Sequence, residues 1–125
     1  MARTAVTPRA LTKNSGLNGA TGATTIDSTL VTNGVTVNTA EPERMLIRVA
    51  NTEGSTNTLT VKAGTSAAAL RSGQGDLVVT VAASTGVQYV GPLESDKYLQ
   101  ADGAVYLDFE TGMTGSIDVL LLPRN

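Results

Sequence analysis

Short runs in which apolar and polar residues alternate are the feature that most restricts the fold of this chain. In the run RMLIRVAN, residues 44–51, Met45, Ile47 and Val49 occupy one set of alternate positions and Arg48 the other. Because successive side chains of a β-strand point to opposite faces of a sheet, this period of two predicts a strand with one buried face. Comparable runs lie at 58–64, 76–83, 86–93 and 115–123.

The spacing of these runs indicates how they are assembled. About eight of them follow one another at intervals of roughly 8 to 15 residues, separated by glycine, proline and small polar residues. Threonine, glycine, alanine and valine are abundant, which is typical of strands and tight turns, and no long helix is expected. The sequence therefore predicts an all-β fold: a single small β-sandwich, jelly-roll-like or immunoglobulin-like, or a barrel. The order of the strands stays open.

Two glycine-containing dipeptides predict hairpin turns. Asn33-Gly34 lies between alternating residues, and Asp102-Gly103 lies inside KYLQADGAVYLDFE, residues 97–110. Both dipeptides tolerate the positive φ angles of a type I′ turn. A third hairpin is predicted between the runs RMLIRVAN and TLTVKAG, across the polar turn TEGSTN. The segment TSAAALRSGQG is equally compatible with a short helical turn and with a loop.

The segment 97–110 also concentrates aromatic and acidic residues. In a hairpin, Asp102 would occupy the turn and Lys97 would face Asp108 across the two strands. The side chains that would share the core face are Tyr98, Val105, Leu107 and Phe109. The competing interpretations are the paired carboxylates of a glycosidase and a calcium loop, but the ligand spacing of a calcium loop is missing. An irregular site around Asp96 and Asp102 stays open.

A polar segment precedes the alternating runs. Residues 1–25 lack periodicity and form a predicted N-terminal arm, followed by a predicted β-domain at 26–125. Three basic residues of this arm come before the first acidic residue, Asp27, whereas the rest of the chain is acidic. Such a segment buries too little apolar surface to fold alone, so we expect either a flexible terminus or an arm that orders against a partner. In the second case the candidate partner-binding residues are Arg3, Pro8, Arg9, Leu11 and Lys13.

Composition restricts the chemistry of the protein. The chain contains no cysteine, histidine or tryptophan, which excludes a disulfide, a thiolate metal site and a Ser-His-Asp triad. The formal net charge is −2, without a basic block, which argues against a nucleic-acid partner. No apolar run approaches the roughly 20 residues of a membrane span, and no signal peptide is visible. We therefore expect a protein made in a cytoplasm, with no enzymatic activity, cofactor or membrane partner.

Three stretches and the beginning of the chain resemble the small head decoration (cement) proteins of tailed bacteriophages. The stretches are MLIRVANTEGSTNTLTVKAG, GQGDLVVTVAASTGVQYVGPLESDKYLQADGAVYLDF and TGSIDVLLLP, and the beginning is MARTAVTPRALTKN. The resemblance covers most of the chain and lies in strand order, composition and the GPLESDKYLQADG region. It implies a virion protein on the outer surface of an icosahedral head, commonly a homotrimer, that binds the major capsid protein and stabilises contacts between capsid subunits. No individual site residue is carried over.

Two other functions compete with this one. The first is a different structural role in a virion, such as a head fibre base or a tail or baseplate component. The second is a carbohydrate-binding module or adhesin, which normally offers an aromatic platform to sugar rings. The aromatic residues available for such a platform are Tyr89, Tyr98, Tyr106 and Phe109.

Overall fold

The structure, a computed structural model, describes residues 2–19, 21–38, 41–67 and 69–123. It confirms the all-β fold, because the described residues form ten strands in two sheets with only two short α-helices. The two sheets enclose one apolar core, as in a small β-sandwich. No helix in these ranges is long and apolar enough to span a bilayer.

The elements are short throughout. The strands are β1 Thr4–Ala5, β2 Arg9–Ala10, β3 Thr24–Ile26, β4 Val35–Val37, β5 Met45–Asn51, β6 Asn57–Val61, β7 Leu77–Val81, β8 Gly86–Val90, β9 Val105–Phe109 and β10 Gly115–Leu121. The α-helices are α1 Ser28–Asn33 and α2 Ser95–Tyr98, and two 3₁₀ turns lie at Pro42–Arg44 and Ser72–Gln74. The helical turn considered for residues 67–70 includes Ala68, which lies outside the described residues.

The strands are divided between two five-stranded sheets. Sheet I has the order β1-β4-β9-β6-β7. Sheet II has the order β2-β10-β5-β8, and β3 pairs with the first residues of β10. The parallel pairs are β1 with β4 and β2 with β10, and the other pairs are antiparallel. Both parallel pairs therefore involve the N-terminal segment.

The alternating runs have the predicted faces. In β5, Met45, Ile47 and Val49 are fully buried, while Arg48 points to the outer surface of sheet II. The four residues predicted to share the core face in the segment 97–110 are all buried, including Phe109 and Tyr98. The core is therefore built from alternate residues of both sheets, as the period of two requires.

The N-terminal segment closes one side of the sandwich. Its backbone pairs first with β4, through the bond from the Thr4 N–H to the Gly34 carbonyl (3.0 Å), and then with β10, through the bond from the Leu11 N–H to the Leu121 carbonyl (2.8 Å). Between the two strands, Val6 enters the core and is 4% exposed. The segment thus passes from the edge of sheet I to the edge of sheet II, and we call this side of the sandwich the closed flank.

The hairpin predicted at Asn33-Gly34 is wrong. Residues Ser28–Asn33 form α1, whose first turn is capped by the Asp27 carboxylate, which accepts the Leu30 N–H at 3.0 Å. Gly34 ends the helix with a φ of 76°, so its positive φ closes a helix instead of a two-residue turn. The core face is nevertheless preserved, because Leu30 of the helix is buried together with the alternate residues of β4.

The hairpin predicted at Asp102-Gly103 is also wrong. Residues Ser95–Tyr98 form α2 instead of a strand, and the two sides of β9 are occupied by β4 and β6. Lys97 therefore does not face Asp108 across a ladder. Both neighbours of β9 come from distant parts of the chain, and such pairings cannot be derived from the local turn.

The third predicted hairpin joins strands that exist but do not pair. β5 lies in sheet II and β6 in sheet I, so the turn between them crosses the sandwich. The buried amide of Asn51 stabilises this crossing, because its nitrogen donates to the carbonyl oxygens of Ser55 at 2.9 Å and Val81 at 3.3 Å. A buried side chain that satisfies backbone carbonyls in this way holds the crossing against β7.

The burial of Val6 leads to a stability prediction. We expect Val6→Ala to lower the free energy of unfolding by roughly 1 to 3 kcal/mol, because it removes two buried methyl groups and leaves a cavity. The matched variant Val87→Ala changes an exposed valine of β8 and should stay within about 0.5 kcal/mol of the parent. Urea unfolding followed by circular dichroism measures both changes. Equal effects would show that the N-terminal segment does not contribute to the core.

Candidate interaction surface

The structure places the five sequence-predicted arm residues in different environments. Arg3 donates to the Asp108 carboxylate at 2.6 Å, and its guanidinium lies 4.5 Å from the centre of the Tyr106 ring. Arg9 donates to the Asp118 carboxylate through Nε, at 3.0 Å, and also through Nη2. The two arginines are therefore bound to the protein's own sheets. The remaining three residues are the half-buried Pro8 and Leu11 and the exposed Lys13.

The arm and sheet II together form a groove. It lies on the outer face of the sheet, between residues 9–19 and strand β8, and has a volume of about 190 Å³. We call it the Tyr89 groove. Its lining residues are Arg9, Leu11, Leu17, Gly19, Arg48, Tyr89, Asp118 and Leu120. Two of the five sequence-predicted residues, Arg9 and Leu11, are thus brought together with residues of three sheet strands.

Strand register explains how the groove is built. Arg48 of β5 lies opposite Tyr89 of β8 on one side and Asp118 of β10 on the other. Because residues opposite each other on neighbouring strands point to the same face, these three side chains form a row across the outer surface. Tyr89 is 61% exposed at one end of the row, and Asp118 is 5% exposed beneath Arg9 at the other.

The ion pair at the buried end of the row fixes that wall of the groove. The hydrogen bond to Asp118 raises the pKa of the Arg9 guanidinium above its ordinary value. Arg9 also donates to the Asn18 carbonyl at 3.2 Å, which holds the loop that carries Leu17. One arginine, whose charge is compensated inside the protein, therefore ties the loop of Leu17 to sheet II, while Leu11 is held by its own backbone bond to Leu121.

The groove combines side chains that are typical of protein interfaces. An exposed tyrosine and an arginine stand beside leucines, and Tyr and Arg are enriched among the residues that dominate binding energy at interfaces. Tyr89 offers a rigid ring that a partner can cover at a small cost in conformational entropy. The geometry is suited to contact with an apolar or planar group of a partner.

A second exposed surface lies on the side of the sandwich opposite the closed flank. There the two sheets end in β7 and β8, which lie against each other, and we call these two strands the open flank. Val78 is 59% exposed, and Val87 is also exposed. Residues 77–93 contain no charged residue. The open flank is therefore an apolar and uncharged stretch of surface beside the Tyr89 groove.

Four acidic residues in or beside the segment 97–110 are bonded to four different side chains, although Arg71 also binds Glu94. The pairs are Asp96 with Arg71, Asp102 with Tyr106, Asp108 with Arg3 and Glu110 with Thr58. Within the described ranges, no three metal-ligating residues come together. The irregular site considered around Asp96 and Asp102 is thus not assembled, because each of these acids is bonded to a neighbour of its own.

Six of the eight lining residues are not among the predicted arm residues, and these six include the row of Arg48, Tyr89 and Asp118. The sequence indicates Arg48 only as an outward position of its strand and Tyr89 only as part of an aromatic platform, and it does not single out Asp118. The available signal was the alternation that points each of them outward. Their assembly into one row depends on the pairing of β10, β5 and β8, which is not visible in the order of the runs.

Comparison of the chain with protein-family models, curated proteins and solved structures finds no match.

The pair formed by Asp102 and Tyr106 predicts a pH effect. The Tyr106 hydroxyl donates to Asp102 at 2.7 Å and lowers the pKa of this carboxyl below its ordinary value of 3.8, while the carboxylate raises the pKa of Tyr106. Since the folded pKa of Asp102 is depressed, its stabilising contribution is present above pH 3.8 and is lost as the pH falls through the folded value. We expect the thermal midpoints of the parent and Asp102→Asn to differ at neutral pH and to converge below pH 3.8.

Thermal melting between pH 2 and pH 7 measures this difference. Tyr106→Phe provides the control, because it removes the hydroxyl that depresses the pKa of Asp102. In that background the pH-dependent part of the difference should shrink. A difference that is the same at all pH values would contradict the assigned hydrogen bond.

Proposed function

We propose that the protein is a capsid decoration (cement) protein. It binds the outer surface of an icosahedral phage head, contacts the major capsid protein and stabilises the contacts between capsid subunits. The observation that carries this proposal is the Tyr89 groove, an exposed aromatic and apolar surface on a rigid β-sandwich. The class of the partner is suggested by the resemblance of the sequence to phage head decoration proteins.

The role of the arm follows from its contacts. Arg3 and Arg9 are bonded to the protein's own carboxylates, so they act by holding the arm in place. Leu11 lines the groove and Lys13 is exposed, and we assign these two residues to contact with the capsid. In this arrangement the arm supplies one wall of the binding surface, and its position is already fixed before the partner arrives.

Fixing the surface in advance favours binding. A partner that meets a preformed groove does not pay for ordering the arm, whose backbone already pairs with β4 and β10. Each contact with a capsid subunit can then be weak. Because many copies bind one lattice, and a bridging copy touches neighbouring subunits, avidity raises the overall attachment by about 10² or more. This would oppose separation of the capsid subunits under internal pressure.

Substitution of Tyr89 tests the proposal. We expect Tyr89→Ser to weaken binding to phage heads that lack the protein by about tenfold or more, because it removes the exposed aromatic ring of the groove. Tyr89→Phe should bind close to the parent, because the ring is kept. Co-sedimentation of the purified variants with mature heads measures the bound fraction over a range of protein concentrations.

Leu70→Ser supplies the matched control for this experiment. Leu70 is 85% exposed but lies outside the groove, so its loss removes apolar surface without touching the proposed contact. Its binding should equal that of the parent. Circular dichroism shows whether each variant is folded. If folded Tyr89→Ser binds heads as tightly as Leu70→Ser, or if the parent does not bind heads, the proposal fails.

The exposed ring of Tyr89 also favours a second candidate, a carbohydrate-binding module. A sugar ring could stack on Tyr89 while its hydroxyl groups bond to Arg48, which stands beside it in the groove. A glycan array distinguishes the two functions, because only this candidate predicts strong binding that Tyr89→Ser abolishes.

Electron microscopy of labelled particles separates a head position from one in a fibre, tail or baseplate.

A further inference from the structure

Strand β7 leaves the edge of sheet I open. Its five residues, Leu77–Val81, pair with β6 in continuous register from Asn57 to Val61, and within the described residues no strand covers its other side. The strand contains no charge and no proline. Natural sheets usually protect such an edge with a charged residue, a proline, a bulge or a covering segment, since an unpaired edge recruits other strands. Within the described residues, β7 has no charge, proline or bulge, and no strand is hydrogen-bonded to its free edge, although β8 of sheet II lies against it.

The acidic residue that directly precedes β7, Asp76, is turned away from the edge. Asp76 accepts the Ala63 N–H at 2.6 Å and lies 3.0 Å from the Lys62 ammonium. Its charge is therefore compensated by neighbours at the end of β6. At the closed flank the situation is different, because the arm covers the edges of β4 and β10. The molecule thus protects one side of the sandwich and leaves the other available.

We propose that β7 is the interface between two copies of this chain. The β7 strands of the two protomers pair antiparallel around a two-fold axis, so that the two sheets I join into one continuous sheet. Two observations support a second copy of this chain as the partner of β7: the distribution of charge on the surface and the lengths of the edge strands. Each chain carries a net charge of −2, which opposes association over most of the surface, but residues 77–93 are uncharged and meet without repulsion.

Length argues against a head-to-tail ring through the same edge. In a ring that extends sheet I, the five residues of β7 would pair with the other edge of that sheet, where β1 offers only the two residues Thr4–Ala5. Pairing of β7 with itself uses the full length of both strands. A two-fold contact of this kind is self-complementary and closed. It differs from the trimer that the resemblance to decoration proteins implies.

The register that pairs all five residues of both strands places Val79 at the two-fold axis and keeps both core faces buried. Val78 of one protomer then lies opposite Thr80 of its partner, on the outer face of the joined sheet. Val78 is 59% exposed in the single chain, and its apolar surface would be covered there by the neighbouring strand. The Tyr89 groove lies on the outer face of sheet II and is not part of this contact, so a dimer presents two grooves.

Charge substitutions at Val78 test the pairing. We expect Val78→Lys and Val78→Glu each to raise the dissociation constant of the dimer by at least about tenfold, because equal charges would lie on diagonal positions of the two β7 strands. An equimolar mixture of the two variants should restore dimers, since opposite charges then meet. Sedimentation equilibrium over a range of concentrations measures all three samples. Leu70→Lys and Leu70→Glu, on an exposed residue away from β7, should dimerise like the parent.

Hydrogen exchange gives a second measurement on the parent protein itself. Amides of β7 should become more protected as the protein concentration rises, while those of β8 should not change. The proposal is overturned if the parent is monomeric or trimeric, if folded Val78→Lys dimerises like the parent, or if the mixture fails to restore dimers. The result is independent of the proposed function, because Tyr89→Ser should dimerise normally and Val78→Lys should keep Tyr89-dependent binding to heads.

Discussion

The burial of alternate apolar side chains between two sheets is the constraint on which the rest of this structure depends. Every strand of the body must point its apolar residues toward the same core, and each sheet offers only one inner face. The turn between β5 and β6 therefore crosses from sheet II to sheet I, although a hairpin across the same turn would satisfy the local sequence. The buried Asn51 amide makes this crossing possible, because its bonds to backbone carbonyls replace those that the ladder cannot supply.

The same constraint explains the behaviour of the N-terminal segment. Taken alone, it is too polar to fold, but its one deeply buried valine, Val6, completes the core at the side where the two sheets would otherwise separate. Its arginines find carboxylates on the outer faces of β9 and β10, namely Asp108 and Asp118. The cationic character of the segment thus serves intramolecular attachment. Gly34 permits this approach, since a Cβ there would lie 2.6 Å from an Asp108 oxygen.

Closing one flank with the arm gives the molecule two different sides. On the closed flank the sheet edges are paired and the arginine charges are compensated. On the opposite side β7 and β8 are uncharged, and Tyr89 and Val78 remain exposed. Exposed aromatic and apolar groups cost free energy in water, and this cost is the physical basis of both proposals for this region. The proposals of a capsid contact at the Tyr89 groove and a self-contact at β7 assign a separate role to each part of this surface.

The sequence by itself determined the fold class, most of the strands and their inner faces, because the alternation of residues such as Met45, Ile47 and Val49 is a local property of an extended backbone. It also singled out the arm residues Arg9 and Leu11, which the structure places in the lining of the Tyr89 groove. The helix α1, the partners of β9 and the row of Arg48, Tyr89 and Asp118 were decided only by the tertiary structure. Asn-Gly and Asp-Gly sequences satisfy several turns equally well, and the choice among them depends on which distant strand occupies each sheet edge. Pairing is a property of residues far apart in the chain, and no local period records it.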